Sequence, residues 1–331
     1  MTDRYDLIVV GAGPCGIAVG AAAKKAGLSC VLIDRGAITD SLLNYPYYMT
    51  FFSTASLLEI EGVPFTIPEP KPTRREALAY YRYVVEHWDL DVRQYQHVEG
   101  IAGSEGDFTV GTVKSDGSPE VFQAGAVIIA TGGFHAPNFL GVPGEDLPKV
   151  RHYYYEPYPY YDQDVLVIGA GNSAVEAALE MFRNGARVTL VHFLDKIDRG
   201  VKPWVVPDIN NRLERGEIPV HWHSRVTEIR PKSVLIRNDE SGEETEVAND
   251  FVVAMTGWLA NHVLLKALGV EIDADTAIPT HDTETMVTNV AGVYIAGVIA
   301  AGHNANKIFI ENGRHHGGLI VADRLAGGRD G

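Results

Sequence analysis

The chain has 331 residues, 46% of them hydrophobic and 21% charged, which allows two compact domains with cores of their own and excludes a disordered chain. Its formal net charge of −15, from 43 acidic against 28 basic residues, leaves no basic excess to neutralise phosphates and argues against nucleic acid or an anionic membrane as partner. The apolar runs are too short to span a bilayer, the first strand begins by Tyr5 with no room for a signal peptide, and Cys15 and Cys30 alone make no disulfide framework, so a cytoplasmic location is expected.

In chain order, an apolar strand from Tyr5 to Val10 runs into Gly11-Ala-Gly13-Pro14-Cys15-Gly16 and a helix predicted over 14–26. In such a G-x-G-x-x-G turn the first glycine makes the bend and the second admits a pyrophosphate. The third lets helix and strand pack closely, and free amides at the helix start hold the phosphates. A strand over 29–33 leads to Asp34, about twenty residues past the turn, where an acid reads a ribose; Arg35 beside it joins the cofactor-binding set. A loop-rich stretch, 42–72, precedes a capping box at Thr73 and Glu76 and a helix to about His87. Short strands over 91–128, with a turn at Ser115-Asp-Gly117, end in Val127 to Ala130 followed by Thr131-Gly132.

After a Pro-, Gly- and Tyr-rich connection, 134–164, the device recurs: Val165 to Ile168 runs into Gly169-Ala-Gly171-Asn172-Ser173-Ala174. Both copies sit between a β-branched strand and an Ala- and Val-rich helix, the context the mechanism requires. Strands follow around 219–237 and 246–255, the latter ending in a second Thr-Gly, Thr256-Gly257. A short helix at 260–268, a buried strand at 288–297 and a helical tail at 307–326 close the chain. Two cradles imply two dinucleotides, hence a flavoprotein that takes hydride from a nicotinamide.

The order of the first fingerprint, Ala130-Thr131-Gly132, the second fingerprint, Thr256-Gly257 and Ala296-Gly297 resembles the thioredoxin-reductase-like, two-dinucleotide-binding-domain flavoproteins along essentially the whole chain. The fold implied is α/β: two Rossmann-like, three-layer ββα domains, with the NAD(P)H domain (137–258) inserted into the FAD domain (1–136 and 259–331). Three departures narrow the family. The C-x-x-C pair of thioredoxin reductases is absent, replaced by the tyrosine-rich run 153–161, so no dithiol relay is available. The usual ribityl-binding Asp after Ala-Gly is Val298, and Cys15 lies inside the FAD fingerprint. With Ile299 to Lys307 and Ile308 to Gly313, this resembles the bacillithiol-disulfide reductase (YpdA or Bdr) type. The resemblance implies FAD and NADPH as cofactors and a small-molecule disulfide, bacillithiol disulfide, as substrate. A homo-oligomer is expected.

Cys15 is the candidate catalytic residue. The helix start should lower its thiol pKa, while a neighbouring pyrophosphate opposes a thiolate, and plain packing under the helix is the competing role. Cys30, inside the second strand, reads as inert core. His192 ends the strand that reads the adenosine ribose, without the acid that would repel a 2′-phosphate; Lys196, Arg199 and Lys202 follow within reach of one. Gly297 ends a cofactor-facing strand, and backbone amides at Lys307 and Ile308 are expected at the flavin ring, part of a helix start from Asn304 to Gly313. The tyrosines 153–161 form either an aromatic wall or a packed seam. His221 and His223 on one strand face, and adjacent His315 and His316, lack further ligands, so no metal is expected. Two other readings stay open: a ferredoxin–NADP reductase of the same fold, and a non-enzymatic redox-sensing module that binds FAD and NAD(P)H.

Overall fold

A computed structural model describes residues 3–134, 136–304 and 307–327. Backbone contacts divide the chain into two units, Met1–Leu43 with Tyr48–Ala136 and Leu259–Gly331, and Asn44–Tyr47 with Pro137–Trp258.

The first unit starts with strand β1 (Asp3–Val10), exposed at its entry and buried from Leu7 onward. Helix α1 (Pro14–Lys25) follows, with Pro14 in the first turn, where its missing N–H is no loss. Ile17 to Ala23 are all buried, so α1 is a core helix rather than an amphipathic one. Strand β2 (Cys30–Ile33), the short helix α2 (Asp40–Leu43) and helix α3 (Arg74–His87) come next. The capping box forms as expected: the Glu76 amide donates to Thr73 Oγ1 at 3.3 Å and the Thr73 amide to Glu76 Oε2 at 2.8 Å.

Strands β3 (Asp91–Arg93), β4 (Gln96–Ser104), β5 (Asp107–Lys114) and β6 (Pro119–Ile129) complete a sheet in the order β3-β2-β1-β6-β5-β4. The long β6 serves three partners. Its first half is antiparallel to β5, in a meander with β4, while its last residues are parallel both to β1 and to a strand that arrives much later.

The second unit contains β7 (Ala136–Pro137, at the crossing), β8 (Val150–Arg151), β9 (Asp164–Ile168), α4 (Asn172–Arg183), β10 (Arg187–Val191), α5 (Val206–Glu214) and β11 (Val220–His221). An antiparallel meander of β12 (Ser224–Ile229), β13 (Ser233–Asn238) and β14 (Glu244–Ala248) precedes β15 (Phe251–Ala254) and β16 (Trp258–Leu259). The parallel sheet runs β11-β10-β9-β15-β8. Alternation along β9 builds the layers: Val165 and Val167 pack with Val175, Ala178 and Leu179 of α4, whereas Leu166 and Ile168 pack with Val226, Val234 and Ile236 of the meander. Helices thus cover one face of the sheet and a second sheet the other.

The chain then returns to the first unit through α6 (Val263–Ala267) and β17 (Val293–Ile295), whose residues pair with Val127, Ile128 and Ile129 of β6. The buried strand expected over 288–297 is only these three residues long. The helical tail expected over 307–326 is two helices, α7 (Ile310–Gly313) and α8 (His316–Gly327). The Asn312 side chain explains the late start: its Oδ1 accepts the Phe309 amide at 2.7 Å and its Nδ2 donates to Lys307 O at 2.9 Å, with Phe309 itself extended. Gly317 lets α8 lie against α1, since a Cβ there would meet Ala18 O at 2.6 Å.

Candidate functional site

The first fingerprint assigns each glycine a different task. A side chain at Gly11, whose φ is +113°, would collide with the Ala130 carbonyl at the end of β6, and one at Gly16 would collide with the Gly11 carbonyl. These two fix the turn and the helix against the sheet. Gly13 is the opposite case, with no atom within 4 Å of a Cβ built there. It leaves an open cradle beside the first-turn amides of α1, which have no partner inside the helix.

Gly132, with φ +73°, is equally open, and beside it the Thr131 hydroxyl is buried without a hydrogen-bond partner. A buried hydroxyl left unpaired is costly, so these residues fit a polar cofactor. Asp34 is gripped by two backbone amides, Ala12 to Oδ2 at 2.7 Å and Gly36 to Oδ1 at 2.8 Å. Burial pushes its carboxyl up while those amides hold it down. A carboxylate has about four lone-pair positions, so two remain for ribose hydroxyls. Arg35 is exposed.

Cys15 lies where α1, Gly297 and Gly313 meet. A Cβ on Gly297 would come within 2.9 Å of its Cβ and Sγ, and a Cβ on Gly313 within 2.9 Å of its Sγ. Only glycine fits at either place beside this sulfur, and Gly297, with φ +79°, needs it for its backbone as well. The Gly297 amide in turn donates to His316 Nδ1 at 3.2 Å. Burial lowers His316 to about 4, and His281 and His315 push the same way, so the ring is neutral and able to accept.

The thiol departs from the sequence expectation. Burial pushes Cys15 up to about 12 rather than the helix start drawing it down. Burial disfavours the charged thiolate, although by exposed area Cys15 is only half-buried. Cys30 is half-buried at the edge of β2, and burial pushes it up to about 12 as well. Gly313 as a neighbour of Cys15, and His316 as the acceptor of the Gly297 amide, were not legible in the sequence; the Glu-Asn-Gly run was the only local signal.

Of the flavin-ring amides expected at Lys307 and Ile308, that of Lys307 already donates to Asn304 O at 3.1 Å. Among the described residues the Ile308 amide makes no hydrogen bond. Ala305 and Asn306, part of the same expected motif, lie outside the described residues.

In the second fingerprint Gly169, with φ +115°, abuts the Met255 carbonyl, and Ala174 packs 3.5 Å from its Cβ position. Ser173 is exposed in the first turn of α4. Asn172 is engaged: its Nδ2 donates to Gly200 O at 2.8 Å and its Oδ1 accepts the Lys202 amide at 2.9 Å. Gly171 faces Asp198, whose Oδ2 would lie 3.0 Å from a Cβ.

His192 is buried at the end of β10. Its Nε2 is 3.4 Å from Asp198 Oδ1, and burial keeps the ring below its ordinary pKa while Asp198 pulls the other way. Lys196 pairs with Asp195 at 3.5 Å and Arg199 is exposed. The second Thr-Gly differs from the first, because Thr256 Oγ1 donates to Asn138 O at 2.6 Å.

Tyr154 and Tyr160 are buried in the core of this unit, and Tyr154 donates to Glu180 at 2.8 Å; Tyr158 and Tyr161 are exposed. His221 and His223 do not share a strand face. β11 stops at His221, and His223 has a positive φ of 51° and pairs with Glu240 at 3.3 Å. Among the described residues no three His, Cys, Asp or Glu side chains are grouped to hold a metal, and no helix is long and apolar enough to cross a membrane.

The profile of the pyridine nucleotide-disulphide oxidoreductase family matches residues 8–297. Bacilliredoxin reductase Bdr of Bacillus subtilis (strain 168) is 44% identical over 316 residues, 96% of each chain. The solved bacillithiol disulfide reductase Bdr (YpdA) of Bacillus cereus superposes with a TM-score of 0.95 at 41% identity, covering 98% of this chain and 99% of that one. Its counterpart from Staphylococcus aureus gives 0.92 at 38% identity, with the same coverage.

Proposed function

The chain belongs to the pyridine nucleotide-disulphide oxidoreductase family, and from that premise we propose that it is an FAD enzyme that uses NADPH to reduce bacillithiol disulfide in the cytoplasm. The observation that carries this reading is the whole-length likeness to two solved reductases named for that disulfide, in a chain with no C-x-x-C pair. The first unit takes FAD at Gly11, Gly13, Pro14 and Gly16, with Asp34 on the adenosine ribose and Thr131, Gly132, Gly297 and Ile308 along the rest of the cofactor. The second unit takes NADPH at Gly169, Gly171, Asn172, Ser173 and Ala174, with His192 at the ribose.

Bound together, the two cofactors would supply a hydride and a two-electron store. The chain supplies a nucleophile. Cys15 Sγ attacks the substrate disulfide, its S–H proton is lost, a Cys15–sulfur bond forms, the substrate S–S bond breaks and one thiol leaves. Two electrons and two protons, the equivalent of the hydride from NADPH and one proton from solvent, then break the Cys15–sulfur bond, restore the Cys15 thiol and free the second thiol. The net change is one disulfide, one NADPH and one proton converted to two thiols and NADP⁺.

A second reading has one observation in its favour. A thiol buried to a pKa of about 12 is a poor nucleophile at neutral pH, which favours direct reduction of the disulfide by the flavin, with Cys15 a packing residue. Cys15→Ala separates the two. If the sulfur is the nucleophile, the variant keeps its FAD and its bleaching by NADPH, while turnover of bacillithiol disulfide falls by orders of magnitude. Undiminished turnover removes the thiol step. A wild-type enzyme that oxidises NADPH no faster with bacillithiol disulfide than without it removes the substrate assignment.

A further inference from the structure

The two cradles, built from the same motif, differ at their central glycine. Beside Gly13 there is open space; beside Gly171 there is a carboxylate, with Asp198 Oδ2 3.0 Å from the Cβ position. Its segment is fastened across the fingerprint turn. The Asp198 amide donates to Ala170 O at 3.1 Å, and Asn172 holds the Gly200 carbonyl at 2.8 Å and the Lys202 amide at 2.9 Å. The other carboxylate oxygen lies 3.4 Å from Nε2 of the buried His192. A negative side chain is therefore held on the side of the central glycine from which a pyrophosphate approaches, next to the electropositive start of α4.

Granted that this cradle takes NADPH, as proposed above, we infer that Asp198 sets the affinity for it: its carboxylate stands in the seat of the pyrophosphate and has to yield before the nucleotide can settle. Like charges a few ångströms apart repel strongly near a protein surface, and the helix start that would favour the nucleotide's phosphates favours the carboxylate instead. The side chain weakens binding through the pyrophosphate and not through the 2′-phosphate. The backbone bond to Ala170 and the two Asn172 bonds are what hold its segment in place.

The test uses the FAD-loaded enzyme and oxidised nucleotides, which bind without reducing the flavin. Dissociation constants for NADP⁺, NAD⁺ and 2′-AMP are measured by calorimetry for wild type, Asp198→Asn and Asp198→Ala. Both variants keep the backbone hydrogen bond to Ala170, so the segment retains that anchor. The expected result is binding of NADP⁺ and NAD⁺ tightened by the same factor, about tenfold or more, with 2′-AMP, which has no pyrophosphate, unchanged. Tightening of NADP⁺ and 2′-AMP but not NAD⁺ would place Asp198 at the 2′-phosphate and overturn the inference. Equal or weaker binding of all three would make the side chain merely structural and also overturn it. A wild type that binds none of the three sinks the NADPH reading itself, a failure distinct from that of Asp198.

Discussion

A methyl group at Gly313 would press to 2.9 Å on Cys15 Sγ and to 3.3 Å on Gly297 Cα. Gly313→Ala is therefore expected to destabilise the protein by about 1–3 kcal/mol, the usual cost of overpacking. Adding Cys15→Ala should return part of that loss, because it removes the atom the methyl strikes; a urea double-mutant cycle with purely additive effects would contradict the contact. His316 carries a pH dependence through the same corner. Its pKa falls from an ordinary 6.5 to about 4 on folding, so acidification protonates the unfolded chain first. The stability associated with the neutral ring is complete above pH 6.5 and is lost as pH falls toward 4. Asn at this position offers Oδ1 as an acceptor for the Gly297 amide without titrating, so His316→Asn should flatten the dependence of Tm on pH across that window. Identical slopes for variant and wild type would refute it.

At the level of elements, α3 depends on a local device that its sequence announces. Thr73 and Glu76 satisfy each other's amides, and Thr73→Ala should cost about 1 kcal/mol, read as a lower urea midpoint at constant m-value. The start of α7 was harder to read. The sequence reads as a helical tail from about residue 307, but Asn312 folds back onto Lys307 and Phe309 and delays the helix to Ile310. Side-chain caps of this kind compete with the helix ladder, and their outcome depends on where the neighbouring backbone lies. The loop after β10 shows the same limit. Lys196 and Arg199 read equally well as phosphate ligands, yet among the described residues only Lys196 of the two has a carboxylate partner, Asp195 at 3.5 Å. Arg199→Glu should consequently lower the NADPH-to-NADH ratio of flavin-bleaching rates more than Lys196→Glu, by stopped flow. An equal effect of the two would show that the Asp195 pair does not matter.

For the whole molecule the most consequential feature is the return of the chain. β17, separated from β6 by the entire second unit, completes the first parallel sheet beside Val127 to Ile129. Without it β6 would present an unpaired edge along its last residues. A chain truncated before β17 is expected to lose FAD as well as stability, because Gly297, Gly313 and His316 all follow that strand. The check is flavin content per folded protein after gel filtration; truncated protein that keeps its flavin would show that the first fingerprint suffices alone.

Both fingerprints, the acid at Asp34, the capped helix at Thr73 and the absence of a cysteine pair were determined by the sequence itself. Each depends on a short run of residues whose steric or hydrogen-bonding requirements are local. The family followed from the order of those runs. Only the tertiary structure decided what stands beside them. The enclosure of Cys15 by Gly297 and Gly313 joins residues 282 and 298 positions apart in the chain, and the His316 acceptor behind Gly297 and Asp198 against Gly171 join residues 19 and 27 positions apart. Burial raises the Cys15 thiol where the helix start alone would lower it, because desolvation depends on every neighbour at once, and a sequence names only those that are adjacent.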